Sequence, residues 1–196
     1  MPRIITPASI ETSPEASQPL LQAVKKQLGS APNLFRVVAN SPAALEGYLG
    51  LHGALAKGKL DGGTRERIAL AVAEINGCNY CLAAHSYLAK NLAKLNDAEI
   101  AANRNGSSYD PKSDGAVQFA VKVARERGHV ANNDLEMVRA AGFGDAEIIE
   151  IVLHVALNTL TNYVNEVAET DIDFPKVAAR KRPDCLSVDH REHCPA

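Results

Sequence analysis

The 196-residue sequence predicts an all-α fold, and three observations carry that reading. Apolar residues recur at steps of three and four, alanine is abundant, and no stretch shows the strict alternation of a half-buried strand. Helix starts are marked by Ser13-Pro14 and Ser41-Pro42, pairs in which serine caps the backbone and proline takes the first helical position. The length suffices for one buried core that needs no metal or disulfide. Residues 1–175 are therefore expected to form a single helical domain, and residues 176–196 a polar C-terminal arm.

In chain order, the first helix is expected from Pro14 to about Leu28, closed by Gly29. The second opens at Pro42 and runs through Leu45, Leu49 and Leu55 to Gly58, while "SAPNLFRVVANSP" between the two reads as a packed connection. The run from Ile68 to Ala73 is too apolar for a surface helix, which places it at the centre of the core. Gly77 breaks that helix. Another is expected from Cys78 to about Leu95, then a short one opened by an Asn96/Glu99 capping box. "NRNGSSYDPKSDG" reads as a polar loop. Ala116, Val117, Phe119, Ala120, Val121, Val123 and Ala124 make a buried helix ending at Gly128. A short helix, a Gly-Phe-Gly turn and a long helix capped by Asp145 complete the domain. Along that last helix Glu147, Glu150, His154, Asn158, Thr161 and Asn165 share one face as a polar stripe on an otherwise apolar rod. Such a stripe faces solvent, lines a cavity or meets a partner subunit, with solvent the default. From Asp171 the chain turns polar, and Cys185, His190, His193 and Cys194 fall in its final stretch. Their spacing lacks the regularity of a metal knuckle, so they read as part of the arm.

Charge and composition narrow the function. Lysine and arginine number 21 against 23 acidic residues, a net charge of -2 that offers no footprint for nucleic acid or an anionic membrane. The first residues lack the continuous apolar stretch of a secretory signal, and no run reaches the roughly 18 apolar residues of a membrane span. A cytoplasmic protein without membrane or nucleic-acid partners is expected, and four cysteines in such a chain do not amount to a disulfide framework.

Chemistry concentrates in "EINGCNYCLAAH", which places Cys78, Cys81 and His85 close together. Three readings compete. A closed zinc site needs four ligands where this motif offers three, and no second knuckle follows. Two inert buried thiols are possible, since free cysteine behaves as a small hydrophobe. A redox dithiol has more physical support: a helix starting near Cys78 puts both sulfurs in its first turn, where free N–H groups and the helix dipole favour a thiolate. Residues three apart on a helix are neighbours, and Cys81 and His85, four apart, share a face. Lowering a thiol from about 8.5 to about 7 takes roughly 2 kcal/mol, the most a helix end supplies, so His85 is needed as well. Glu66 is the candidate to orient that imidazole. It lies eleven residues before Gly77 and His85 eight after, so an antiparallel hairpin brings them within about one helical turn. Glu74 is the rival and reads as a residue hydrogen-bonded near the turn.

The pattern E-x(11)-C-x-x-C-x-x-x-H, here Glu66, Cys78, Cys81 and His85, resembles the signature of the AhpD-like alkylhydroperoxidases of the carboxymuconolactone decarboxylase superfamily. "RERIALAVAEINGCNYCLAAH" is similar to that family's core helix pair, and "ALNTLTNYVNEVAETDIDFP" to the C-terminal helix of its peroxidase-related branch. The resemblance spans roughly residues 15 to 175. It implies an all-α fold built around an antiparallel helix pair, homo-oligomers such as trimers or hexamers, and thiol-dependent reduction of hydroperoxides by a dithiol or disulfide-reductase donor. It also implies that Cys81 attacks peroxide, that Cys78 resolves the product into a redox-active Cys78–Cys81 disulfide with no other cofactor and no metal, and that Glu66 and His85 relay the proton. Family members carry a histidine where this chain has Tyr80, whose phenol is expected to hydrogen-bond a bound peroxide in the substrate pocket rather than shuttle protons. Two other readings stay open: a redox-sensing or disulfide-exchange oligomer without multiple turnover, and a decarboxylase-type lyase, a branch expected to lack the dithiol.

Overall fold

The computed structural model describes residues 2–180, and among them it contains helices and no strand. The α-helices are α1 Gln18–Leu28, α2 Asn33–Val38, α3 Pro42–Leu55, α4 Gly62–Asn76, α5 Asn79–Asn91, α6 Asp97–Arg104, α7 Pro111–Arg125, α8 Asn132–Ala140 and α9 Asp145–Ala168. Helix α4 is the axle. It packs against α5, α6, α7 and α9, and every residue from Ile68 to Ala73 is buried, as its unbroken apolar run requires. Two apolar clusters meet on it. One joins Leu70 and Ala73 to Leu21, Leu45, Tyr48, Cys78, Cys81 and Leu82; the other joins Ile68 and Val72 to Phe119, Val123, Phe143, Ile151 and Val155.

The caps explain most boundaries. Ser41 accepts from the Ala44 N–H ahead of Pro42, Asp61 accepts from Thr64, and Asp110 ahead of Pro111 accepts from Ser113. Gly77 ends α4 in the left-handed region at φ +72, where a side chain would be strained. The chain then reverses directly into α5.

Several boundaries differ from the sequence reading. Ser13 donates to the Ser9 carbonyl instead of capping a helix, so α1 begins later, after a 3₁₀ turn over Glu15–Ser17. The connection after α1 contains a helix of its own, α2, whose Leu34, Val37 and Val38 are buried. Helix α5 stops at Asn91, because Lys94 takes a positive φ and the Leu95 N–H turns back to the Ala89 carbonyl. The polar loop shrinks to residues 105–110, the Asp-Pro pair having opened α7 early. Asn96 caps the Glu99 N–H, but the Glu99 carboxylate leaves the capping box for Arg67, Ser108 and the Tyr109 N–H. Gly144, not Asp145, is the N-cap of α9, and Glu147 accepts from its N–H.

The polar stripe of α9 does not face solvent. Glu150 accepts from the Lys59 and Leu60 N–H groups, and His154, Asn158, Thr161 and Asn165 are buried. Nor does the chain leave the body at Asp171. Ile172, Phe174, Val177 and Ala179 pack on the cluster that holds the cysteines. The Asn33 N–H donates to Asp173, the Ala179 N–H to Asn79 and the Arg180 N–H to Glu74. Residues 176–180, expected to start the arm, are thus held as a strap across the start of α5. Cys185, His190, His193 and Cys194 lie outside the described residues. No helix among the described residues is long and apolar enough to cross a membrane.

Candidate active site

The Gly77 turn sets the geometry. Cys78 is the N-cap of α5, its Sγ accepting from the Cys81 N–H at 3.4 Å, so both sulfurs sit in the first turn. Both thiols are free and buried, Cys78 at 0% and Cys81 at 2% exposure. Across the hairpin, His85 Nδ1 lies 2.9 Å from Glu66 Oε2, which closes the register predicted between the two helices. These two side chains remain 22% and 21% exposed, unlike the buried sulfurs. Glu74, the rival carboxylate, pairs with Arg104 at 2.6 Å and accepts from the Arg180 N–H.

Helix α9 completes the site. The Asn165 side chain donates from Nδ2 to Cys81 Sγ at 3.2 Å, a bond joining residues 84 positions apart. Asn162, fully buried beside it, accepts from Asn76 at 2.8 Å. From α3, Tyr48 and His52 bring rings 6.0 Å apart to the same region.

The electrostatics separate the two sulfurs. Cys81 is pushed down to about 6, chiefly because the Cys78 S–H hydrogen-bonds its thiolate; the positive charge of His85 and the Asn165 and Asn162 amides add to this and outweigh burial. Cys78 moves strongly upward for the reciprocal reason, as donor to that thiolate, and burial raises it further. Burial pushes His85 down, but the Glu66 carboxylate and Cys81 outweigh it, so its net shift is upward. His52 is lowered by burial and by the charges of His85 and Arg65, and His154 is pushed down to about 4 by burial and Arg65. The shifts thus favour the thiolate at Cys81 and the protonated form of His85, and the neutral form of His52 and His154.

Of the residues singled out from sequence, Cys78, Cys81, His85 and Glu66 converge. Tyr80 serves differently. Its buried hydroxyl accepts from the Leu34 N–H at 3.1 Å, and its ring meets Phe174 edge-on at 5.9 Å, so it anchors α2 and the strap instead of presenting a free phenol to a peroxide. Asn162, Tyr48 and His52 were not anticipated; the only signal for them was polar residues spaced a turn apart on apolar helices. Among the described residues no group of three or more His, Cys, Asp or Glu is arranged to hold a metal ion.

A model of the carboxymuconolactone decarboxylase family matches residues 42–126, which run from the start of α3 through α7. Among solved structures, the AhpD-core peroxidase-related protein of Ralstonia eutropha JMP134 is 26% identical and superposes with a TM-score of 0.78, covering 88% of this chain and 92% of that one. A peroxidase-related protein of Silicibacter sp. TM1040 is 24% identical with a TM-score of 0.72, over 86% and 89% of the two chains. The debrominase Bmp8, in complex with 2,3,4-tribromopyrrole, shares the fold at 20% identity and a TM-score of 0.74, over 88% and 93%. No curated protein matches the chain by sequence.

Proposed function

From a chain that belongs to the AhpD-like carboxymuconolactone decarboxylase superfamily, we propose a thiol-dependent peroxidase that reduces hydroperoxides through Cys81 and Cys78. The observation that carries the reading is the geometry of the pair: Cys81 Sγ accepts from the Asn165 amide, Cys78 Sγ accepts from the Cys81 N–H in the same first turn, and Glu66 holds His85, an arrangement that favours the thiolate at Cys81 and the thiol at Cys78. The thiolate attacks the terminal oxygen of ROOH; an S–O bond forms, the O–O bond breaks, and the leaving alkoxide takes a proton from His85. Sulfur loses two electrons and becomes a sulfenic acid. Cys78 then attacks that sulfur, the S–O bond breaks, and the departing hydroxide leaves as water with the Cys78 proton. The products are ROH, water and a Cys78–Cys81 disulfide, which an external dithiol returns to the reduced pair. No other cofactor enters these steps.

We also infer that the chain works as a homo-oligomer, with α9 at the contact. Ile149, Leu153, Ala156, Leu160, Tyr163 and Val167 are exposed at alternating steps of four and three, the seam of a helix that pairs with another helix. A second copy carrying the same seam supplies the matching surface.

Turnover of tert-butyl hydroperoxide with dithiothreitol, with peptide mapping after peroxide, tests the enzymatic reading. The expected outcome is multiple turnover and a Cys78–Cys81 disulfide. Unchanged turnover in Cys81→Ser would overturn it. Consumption of one equivalent with no cycling would favour a sensor, and activity on a brominated pyrrole without peroxidase activity would favour dehalogenation.

A further inference from the structure

Three polar atoms on the inner face of α9 are buried and find no hydrogen-bond partner among the described residues: His154 Nε2, Asn162 Nδ2 and Asn165 Oδ1. Unsatisfied buried groups each cost about 1–3 kcal/mol, so three on one helix face are an unusual concentration. The two asparagines are placed by what their other ends do. Asn165 spends Nδ2 on Cys81 Sγ, which fixes its amide plane and leaves Oδ1 as a free acceptor beside the sulfur. Asn162 spends Oδ1 on Asn76, which leaves Nδ2 as a free donor, and that amide is close enough to Cys81 to favour its ionised form. Asn162 is 0% and Asn165 2% exposed, so bulk water does not satisfy them.

A free donor and a free acceptor next to a thiolate suit a small molecule that both donates and accepts, and at a nucleophilic sulfur a hydroperoxide is the one that can react. A hydroperoxide carries an O–H that must donate and an adjacent oxygen that gains negative charge as the O–O bond breaks. Resting on the peroxidase reading above, we propose that Asn162 and Asn165 form the peroxide-holding pair: Asn165 Oδ1 accepts the hydroperoxide O–H, and Asn162 Nδ2 donates to the oxygen that leaves. Both groups are uncharged and the nearby His52 and His154 are neutral, so the substrate class is a small, uncharged hydroperoxide. A carboxylate-bearing one would have to draw on Arg65, which is held by the Leu55 and Ala56 carbonyls, or on His85, which the reaction needs. Electrons and protons move as in the cycle already given; Asn162 stabilises the alkoxide until His85 protonates it.

The test compares two reactions of the same sulfur in the full-length reduced protein: oxidation by tert-butyl hydroperoxide in stopped flow, and alkylation by iodoacetamide, which needs the thiolate but no peroxide site. Asn162→Leu keeps the γ-branched shape and should slow oxidation roughly 10²-fold, the usual effect of losing one such donor, while alkylation, corrected for the thiolate fraction read from its own pH profile, stays within about threefold. Asn76→Ala breaks only the bond to Asn162 Oδ1 and should change oxidation far less. If the Leu variant fails to fold, Asn162→Ala carries the same comparison. Equal losses in both reactions, or unchanged oxidation, would overturn the assignment. Failure of the wild-type protein to react with peroxide while still alkylating would instead overturn the peroxidase reading itself.

Discussion

Replacing Glu66 by glutamine tests the link between the hairpin and the sulfur. The substitution keeps shape and removes one negative charge 2.9 Å from His85 Nδ1. A charge-assisted hydrogen bond contributes about 1.5–3 kcal/mol, and with each side chain about one-fifth exposed the lower end applies, so the imidazolium loses roughly 1.5 kcal/mol of stabilisation. Two effects follow, of different size. The thiolate loses part of one of its supports, so its pKa rises from about 6 by less than about one unit. The acid limb of iodoacetamide alkylation therefore moves to higher pH, and the rate at pH 7 falls roughly twofold. Peroxide turnover falls further, about tenfold, because roughly 1.5 kcal/mol lowers the protonated share of His85 available to the leaving oxygen by about that factor. Alkylation against pH and stopped-flow oxidation measure the two separately. An alkylation profile that does not move, together with oxidation within twofold of wild type, would refute the relay from Glu66 through His85 to Cys81.

Three further outcomes are expected. Tyr80→Phe strands the Leu34 N–H and should cost about 1–2 kcal/mol in urea unfolding while leaving Cys81 alkylation unchanged; a large loss of peroxidase activity with normal stability would restore the phenol to the pocket. Glu99, bound by Ser108, Arg67, Asn103 and the Tyr109 N–H, is pushed down to about 2 despite burial. A depressed carboxyl stabilises the fold above its ordinary pKa near 4.5, and that contribution is lost as pH falls through about 2, so wild-type stability should decline over that window. Glu99→Gln should flatten the decline and cost on the order of 3 kcal/mol at pH 7, read by urea denaturation at both ends. Light scattering should give a native mass that is a multiple of 20.9 kDa, reduced to a single chain by Leu160→Glu.

How much of this was legible in the sequence follows from the distance over which each feature is determined. Glu66, Cys81 and His85 lie on two helices joined by Gly77 and the N-cap Cys78, so local geometry alone fixes their meeting. The central position of α4 was likewise legible, because Ile68 to Ala73 leave no polar face to turn outward. Helix α2 was not: six residues behind Pro32 give too short a period, and the chain only shows its use where Tyr80, 46 positions on, accepts from Leu34. Tyr80 was misread for the same reason, since its partners come from α2 and the strap. Periodicity placed Asn165 and His154 on one face of α9 but could not say which way that face turned.

That orientation ties the site to the assembly. A surface helix ordinarily buries its apolar stripe and shows its polar one. Helix α9 buries Ile148, Ile151, Val155 and Leu157 in the usual way, but His154, Asn158, Thr161, Asn162 and Asn165 point into the protein with them, while Ile149, Leu153, Leu160, Tyr163 and Val167 are between 38% and 61% exposed. Neither choice is favourable in an isolated domain, because buried amides without partners and a long apolar seam in water both raise its free energy. On the proposed reading each would become favourable with an occupant, a reacting peroxide on the inner face and a second copy on the outer one. The same rod then couples the two: Asn165 holds Cys81 Sγ from the face opposite Tyr163, so packing that steadies the seam steadies the amide on the sulfur. Leu160→Glu should accordingly leave the fold intact yet lower peroxide reactivity severalfold through a looser Asn162–Asn165 pair. A monomeric variant with full oxidation rate would show that the inner face is rigid without its outer cover.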